Sequence, residues 1–140
     1  MKSLNLLFIT LDGGGNLPPM FGLARLLTAR GHKVRVLSEP SMEEAITKQG
    51  FKFTSFQKLF QRTDRTEDIF NDWNAKGIKS PALDNVLFGT AREVTDEAIR
   101  AIKEEPTDLL MVDCVLPTAV IAAEAMGIPA VMVQHFPEYF

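Results

Sequence analysis

The residues able to do chemistry collect at three places, each just after a short apolar run. Asp12, Gly13, Gly14, Gly15 and Asn16 follow the run at 6–9, Asp113 and Cys114 follow 109–112, and His135 follows 130–133. Carboxylates and imidazoles can hold or move protons, and a thiol can act as a nucleophile. A glycine loop before a helix can turn backbone N–H groups toward an anion. The loop approaches a dinucleotide fingerprint, G-x-G-x-x-G, with Gly13 and Gly15 in place, but Pro18 stands where the third glycine belongs. Glu39, after another apolar run, offers a carboxylate for a ribose 2′-hydroxyl. Adjacent residues of an extended segment point to opposite sides, so Asp113 and Cys114 are expected to face apart, with Cys114 a buried free thiol. No spacing of His, Cys and carboxylate matches a metal motif. His32, in a turn between a helix and a strand, reads as structural.

Elements must bring these residues together. Short apolar runs alternate with longer amphipathic stretches, the signature of parallel strands joined by helices. Continuous runs at 6–9, 109–112 and 130–133 suit strands covered on both faces, Val34-Arg-Val-Leu37 reads as a further strand, and the alternating 51–56 suits a strand near a sheet edge. Met20, Leu23, Ala24 and Leu27 form one helical face, with Pro18 or Pro19 in its first turn and Gly31 at its end. Ser41 and Glu44 read as a capping box opening a second helix that Gly50 ends. Leu87, Ala91, Val94, Ala98 and Ile102 align on a third, and an alanine-rich fourth follows Pro117. The prediction is an α/β, doubly wound, Rossmann-like parallel sheet in a single domain, with strand order 3-2-1-4-5. Ligands of such sheets bind beyond the carboxyl ends of the strands where the order reverses, here between the first and fourth. Asp12 to Asn16 and Asp113 leave those strands, and His135 lies one strand further out.

The segment 57–81 is polar, with Phe60, Ile69, Phe70 and Trp73 spaced along it. It reads equally as a binding segment in a long crossover or as a surface helix anchored by aromatics. Phe60, Phe70, Trp73, Phe136 and Tyr139 could line an apolar cleft or pack a core.

Composition narrows the partners. Of 140 residues 46% are hydrophobic and 24% charged, the net charge is −3, and no block of Lys or Arg is present. That balance disfavours a nucleic-acid partner and an anionic membrane surface. The single cysteine excludes an internal disulfide. Lys2 and the apolar residues after it run into Asp12 and glycines without a cleavage signal, and no run reaches the ~20 apolar residues of a membrane span. A cytoplasmic location without a membrane anchor is expected.

One block is distinctive. Gly15, Asn16, the Pro18-Pro19 pair, a leucine/alanine helix, Arg30-Gly31-His32 and the valine-rich strand to Leu37 resemble the opening of family-1 glycosyltransferases. These are the UDP-glucuronosyl- and glucosyltransferase-like enzymes, including the macrolide type, with the two-domain GT-B architecture. Val-Asp-Cys-Val-Leu-Pro at 112–117 and Met-Gly-Ile-Pro-Ala-Val at 126–131 are similar to the family's fourth and fifth strands.

The resemblance implies the N-terminal, acceptor-binding half of an inverting glycosyltransferase. A nucleotide sugar would be the donor substrate, held mainly by a second domain in the same or a separate chain, and no cofactor is implied. The acceptor would be a hydroxyl of a small, lipophilic molecule, a natural product for example. Without the donor domain, residues 1–140 are expected to be inactive alone. In the family a histidine after the first strand is the base, oriented by an aspartate after the fourth. Here Asp113 keeps the second position, but Asn16 takes the first, and an amide cannot accept a proton. Three readings stay open: His135 supplies the imidazole beside Asp113; Asp12 or Asp113 acts as base alone; or Asn16 only positions the acceptor in a slow or inactive enzyme. Asp113 and His135 are the catalytic candidates, and Asp12, Gly14, Gly15, Asn16, Phe70 and Trp73 the acceptor-binding ones. The alternatives are a non-catalytic acceptor-binding or helper module, favoured by Asn16, and a dinucleotide-binding protein, favoured by the loop and Glu39.

Overall fold

The computed structural model describes residues 2–66 and 88–135. Phe70, Trp73, Phe136 and Tyr139, and with them the aromatic acceptor cleft, lie outside the described residues, as does Leu87. The elements in chain order are β1 (Asn5–Ile9), α1 (Leu17–Ala29), β2 (Lys33–Ser38), a 3₁₀ turn (Pro40–Met42), α2 (Glu43–Lys48), β3 (Lys52–Ser55), α3 (Ala91–Glu104), β4 (Leu109–Asp113), a second 3₁₀ turn (Pro117–Ala119), α4 (Val120–Met126) and β5 (Ala130–Val133). The five strands make one sheet in the order β3-β2-β1-β4-β5, every pairing parallel, as the sequence predicts.

Alternation along β1 builds two cores. Leu7 and Ile9 face α3 and α4, meeting Val94, Ala98, Ala101, Ala122 and Ala123. Leu6 and Phe8 face the other way, onto Met20 and Ala24 of α1 and Ile46 of α2. A β1 buried on both faces therefore needs apolar residues at every position, and each large one contributes about 1.5–3 kcal/mol by leaving water. Ala122 and Ala123 of α4 are buried in the first of these cores. β3 and β5 are the edges. Val131 and Met132 of β5 remain 45% and 42% exposed. No helix among the described residues is long and apolar enough to cross a membrane.

Helix ends follow the sequence with one exception. Pro18 lies in the first turn of α1, and Gly31, at φ +88°, ends it in the left-handed region that glycine enters without strain. The Ser41–Glu44 capping box does not form. Pro40 opens a 3₁₀ turn instead, so α2 starts at Glu43, and the Ser41 hydroxyl has no hydrogen-bond partner among the described residues. Glu44 pairs with Lys48 one turn on. His32 is structural: its Nδ1 accepts the Leu4 N–H at 3.2 Å, at the end of the sheet remote from the strands' carboxyl ends.

Candidate functional site

Asp113 is the hub. As the last residue of β4 it is completely buried, and four groups converge on its carboxylate. Oδ2 accepts the Thr10 hydroxyl at 2.6 Å and the Asn16 amide Nδ2 at 2.6 Å. Oδ1 accepts the Val115 N–H at 3.1 Å and meets His135 Nε2 at 2.9 Å. Since every other neighbour donates, the His135 tautomer that fits carries its proton on Nε2. Nδ1 is then the bare nitrogen. It is buried and has no partner among the described residues.

Strand pairing sets this geometry. Asp113 stands opposite Val133 in the β4–β5 ladder, and the Cys114 N–H continues it to the Val133 carbonyl at 3.1 Å. His135 leaves β5 two residues later. On the other side, Thr10 prolongs the β1–β2 ladder by donating its N–H to Leu37. The imidazole and the carboxylate thus come from adjacent strand ends, the carboxylate at the switch point and the imidazole one strand further out.

Asn16 precedes α1 but does not cap it. Its side chain turns back instead. Its two amide hydrogens go to the nearest acceptors, Asp113 Oδ2 at 2.6 Å and the Leu11 carbonyl at 2.7 Å, while Thr10 Oγ1 at 3.3 Å is the weaker contact. Its Oδ1 accepts the Gly13 N–H at 3.0 Å. Both ends of the amide are committed to holding the loop and the aspartate. A Cβ on Gly13 would come within 3.3 Å of that oxygen, and Gly14 sits at φ +103°.

The glycine loop is not an open anion cradle. The Gly13 N–H is taken by Asn16, and the Gly14 N–H by Asp12 Oδ1 at 3.1 Å. Gly14 and Gly15 are themselves exposed. Glu39 is fully buried and forked by the Arg62 guanidinium, and its Oε1 also accepts the Asp12 N–H at 2.8 Å. No ribose hydroxyl can reach it. The two features behind a dinucleotide reading are both spent internally. Asp12 is also engaged: Arg65 Nε donates to Oδ2 at 2.7 Å, and Arg62 Nη2 donates to its carbonyl at 2.9 Å.

Cys114 corrects an expectation. Its sulfur lies with Asp113 and His135, one ligating atom of each being within 4.8 Å of the others. Strand alternation ends at Asp113, and the turn that begins at Cys114 brings both side chains to one side. The thiol is half-buried, and burial raises its pKa above the ordinary value. Phe60 packs edge-on against Phe56, with ring centroids 6.0 Å apart, so it belongs to the core. The roles of Thr10, Arg62 and Arg65 have no motif in the sequence. Thr10 had one signal, a polar residue interrupting an apolar run.

No protein-family model matches the chain, and no curated protein matches it. Solved structures do. SsfS6, a glycosyltransferase of Streptomyces sp. SF2575, is 23% identical with a TM-score of 0.66, over 92% of this chain and 38% of that one. The glycotransferase of kitacinnamycin is 21% identical with a TM-score of 0.71, over 94% and 30%. UGT89C1 of Arabidopsis thaliana, complexed with quercetin, is 17% identical with a TM-score of 0.71, over 97% and 36%. The chain shares its Rossmann-like α/β fold with part of each of these glycosyltransferases, and it spans 30–38% of the length of the three.

Proposed function

We propose that the chain is the N-terminal, acceptor-side part of an inverting glycosyltransferase that moves a sugar from a nucleotide sugar to a hydroxyl of a small, lipophilic molecule. The observation that carries this reading is the 2.9 Å pairing of His135 with Asp113 at the switch point of a sheet whose fold is that of glycosyltransferases. The thymidine diphosphate held by SsfS6 and the quercetin held by UGT89C1 favour a nucleotide donor and a small-molecule acceptor. A second, donor-binding domain, in the same chain or a separate one, would hold most of the nucleotide sugar.

Asp113 fixes the His135 ring and its tautomer and stabilises the imidazolium that forms. His135 Nδ1, buried in this structure, takes the acceptor's hydroxyl proton once the acceptor displaces what covers it. The oxygen then bonds to the anomeric carbon as the bond to the nucleoside diphosphate breaks, its electron pair leaving with the phosphate. Such base catalysis is worth about 10²–10⁴-fold. The exposed Gly14 and Gly15, with Asp12 behind them, border the approach. Asn16 holds the loop and the aspartate in register.

In a form that includes the donor-binding half, His135→Ala and Asp113→Ala should each lower transfer at least about 100-fold. Unchanged turnover in His135→Ala would remove the relocated base. The fully committed Asn16 amide favours a second reading, a binding or helper module without catalysis. It predicts acceptor binding by titration but no transfer with any nucleotide sugar.

A further inference from the structure

We propose that Asp113, Cys114 and His135 form a binding site for a divalent cation of the zinc class. The three offer a carboxylate oxygen, a sulfur and an imidazole nitrogen, the donor set such cations take. Their ligating atoms lie within 4.8 Å of one another. Zinc bonds of about 2.0–2.3 Å put neighbouring ligands about 3–4 Å apart, so small side-chain rotations close the set.

The geometry between two of the three fits: the His135 side chain is only 4% exposed, and its Nε2 faces Asp113 Oδ1 at 2.9 Å, the contact a cation would enter. Supporting hydrogen bonds exist already. Thr10 and Asn16 hold Asp113 through Oδ2 and leave Oδ1 turned toward His135, the outer-shell arrangement that orients a ligating carboxylate. The backbone is fixed by the β4–β5 ladder, and half-exposed Cys114 gives a way in. On binding, the Cys114 thiol gives its proton to solvent and sulfur ligates as thiolate. The cation replaces the proton between His135 Nε2 and Asp113 Oδ1, that proton moves to Nδ1, and a fourth position is left for water.

Such a cation would take His135 Nε2 and leave Nδ1 protonated, removing the lone pair assigned above to proton transfer, so it would inhibit. Only that inhibition rests on the proposed function; binding does not. Cobalt(II) is the probe for the chain itself. The expected result is saturation at one ion per chain, with thiolate-to-cobalt charge transfer in the near ultraviolet and tetrahedral bands in the visible, both removed by zinc and unaffected by magnesium. Cys114→Ser should abolish the charge-transfer band, and His135→Ala should weaken affinity at least about tenfold, with circular dichroism verifying the fold of each. Absence of the band, its survival in Cys114→Ser, or undiminished affinity in His135→Ala would overturn the site. Where transfer is measurable, zinc should inhibit the wild type and inhibit Cys114→Ser much less. If no transfer is found at all, the glycosyltransferase reading falls while the cobalt spectrum still decides the cation site.

Discussion

Position 16 shows how one residue type decides between chemistry and architecture. An asparagine bridges donors and acceptors without a charge, and here Asn16 spends both amide hydrogens on Asp113 and Leu11 and accepts from Gly13. Asn16→Ala should lose about 1–3 kcal/mol, the range for stranding buried polar groups, seen as a lower urea midpoint. Asn16→Asp should be worse at neutral pH, because a second carboxylate would sit where Nδ2 now lies 2.6 Å from Asp113. An aspartate variant as stable as the wild type would mean that the buried contact is not formed. Asp113 and His135 were legible because they lie at or just past strand ends, and Asn16 because it stands in the loop between the first strand and the first helix. Cys114 was not, since the alternation rule applies only while the strand lasts. Thr10 was not legible either, because its partner Asp113 is 103 residues away.

Among the elements, strands and helices followed from periodicity, but the segment just after β3 did not. It carries Phe60 at φ +45°, a conformation rare for a residue with a side chain. It also places Arg62 and Arg65 over the glycine loop. Nothing local announces this, because Arg62 works through a charge 23 residues away on Glu39. The same pairing explains the failed capping box, since Glu39 buries itself just before Pro40 and the Ser41 N–H goes to the Arg62 carbonyl at 3.0 Å. With Glu39 fully buried and the Arg62 side chain 10% exposed, removing one partner strands a charge. Arg62→Ala should lower stability by about 3–5 kcal/mol, whereas Arg62→Met with Glu39→Leu should lose much less, because both charges leave together. Equilibrium urea unfolding of the three proteins measures the difference. Equal losses in the single and double variants would show that the arginine acts through packing rather than charge.

Across the whole molecule, the two ends of the sheet have different work. The strand order and the two-faced core were legible because parallel strands need apolar residues throughout and right-handed crossovers leave few arrangements. From that order alone came the end at which Asp113 and His135 would meet. The other end is structural and harder to foresee, since Arg35 lies within an otherwise apolar β2. Its guanidinium is buried near the end of α3, donating to the Ala101 carbonyl at 2.6 Å and to Thr107 at 2.8 Å. Burial pulls its pKa below the ordinary arginine value while Glu105 and Glu104 oppose the shift. It therefore acts as a tie from sheet to helix. Arg35→Met, which keeps most of the apolar stem, should lower stability by about 1.5–3 kcal/mol, the range for hydrogen bonds to a charged group. In a form containing the donor half, at temperatures where the variant is fully folded, its kcat/KM should match the wild type. His135→Ala should show the reverse, a small change in the urea midpoint with transfer lost. If Arg35→Met lowers turnover of the folded enzyme as far as His135→Ala does, the separation of a structural end from a chemical end is wrong, and the sheet would couple the two.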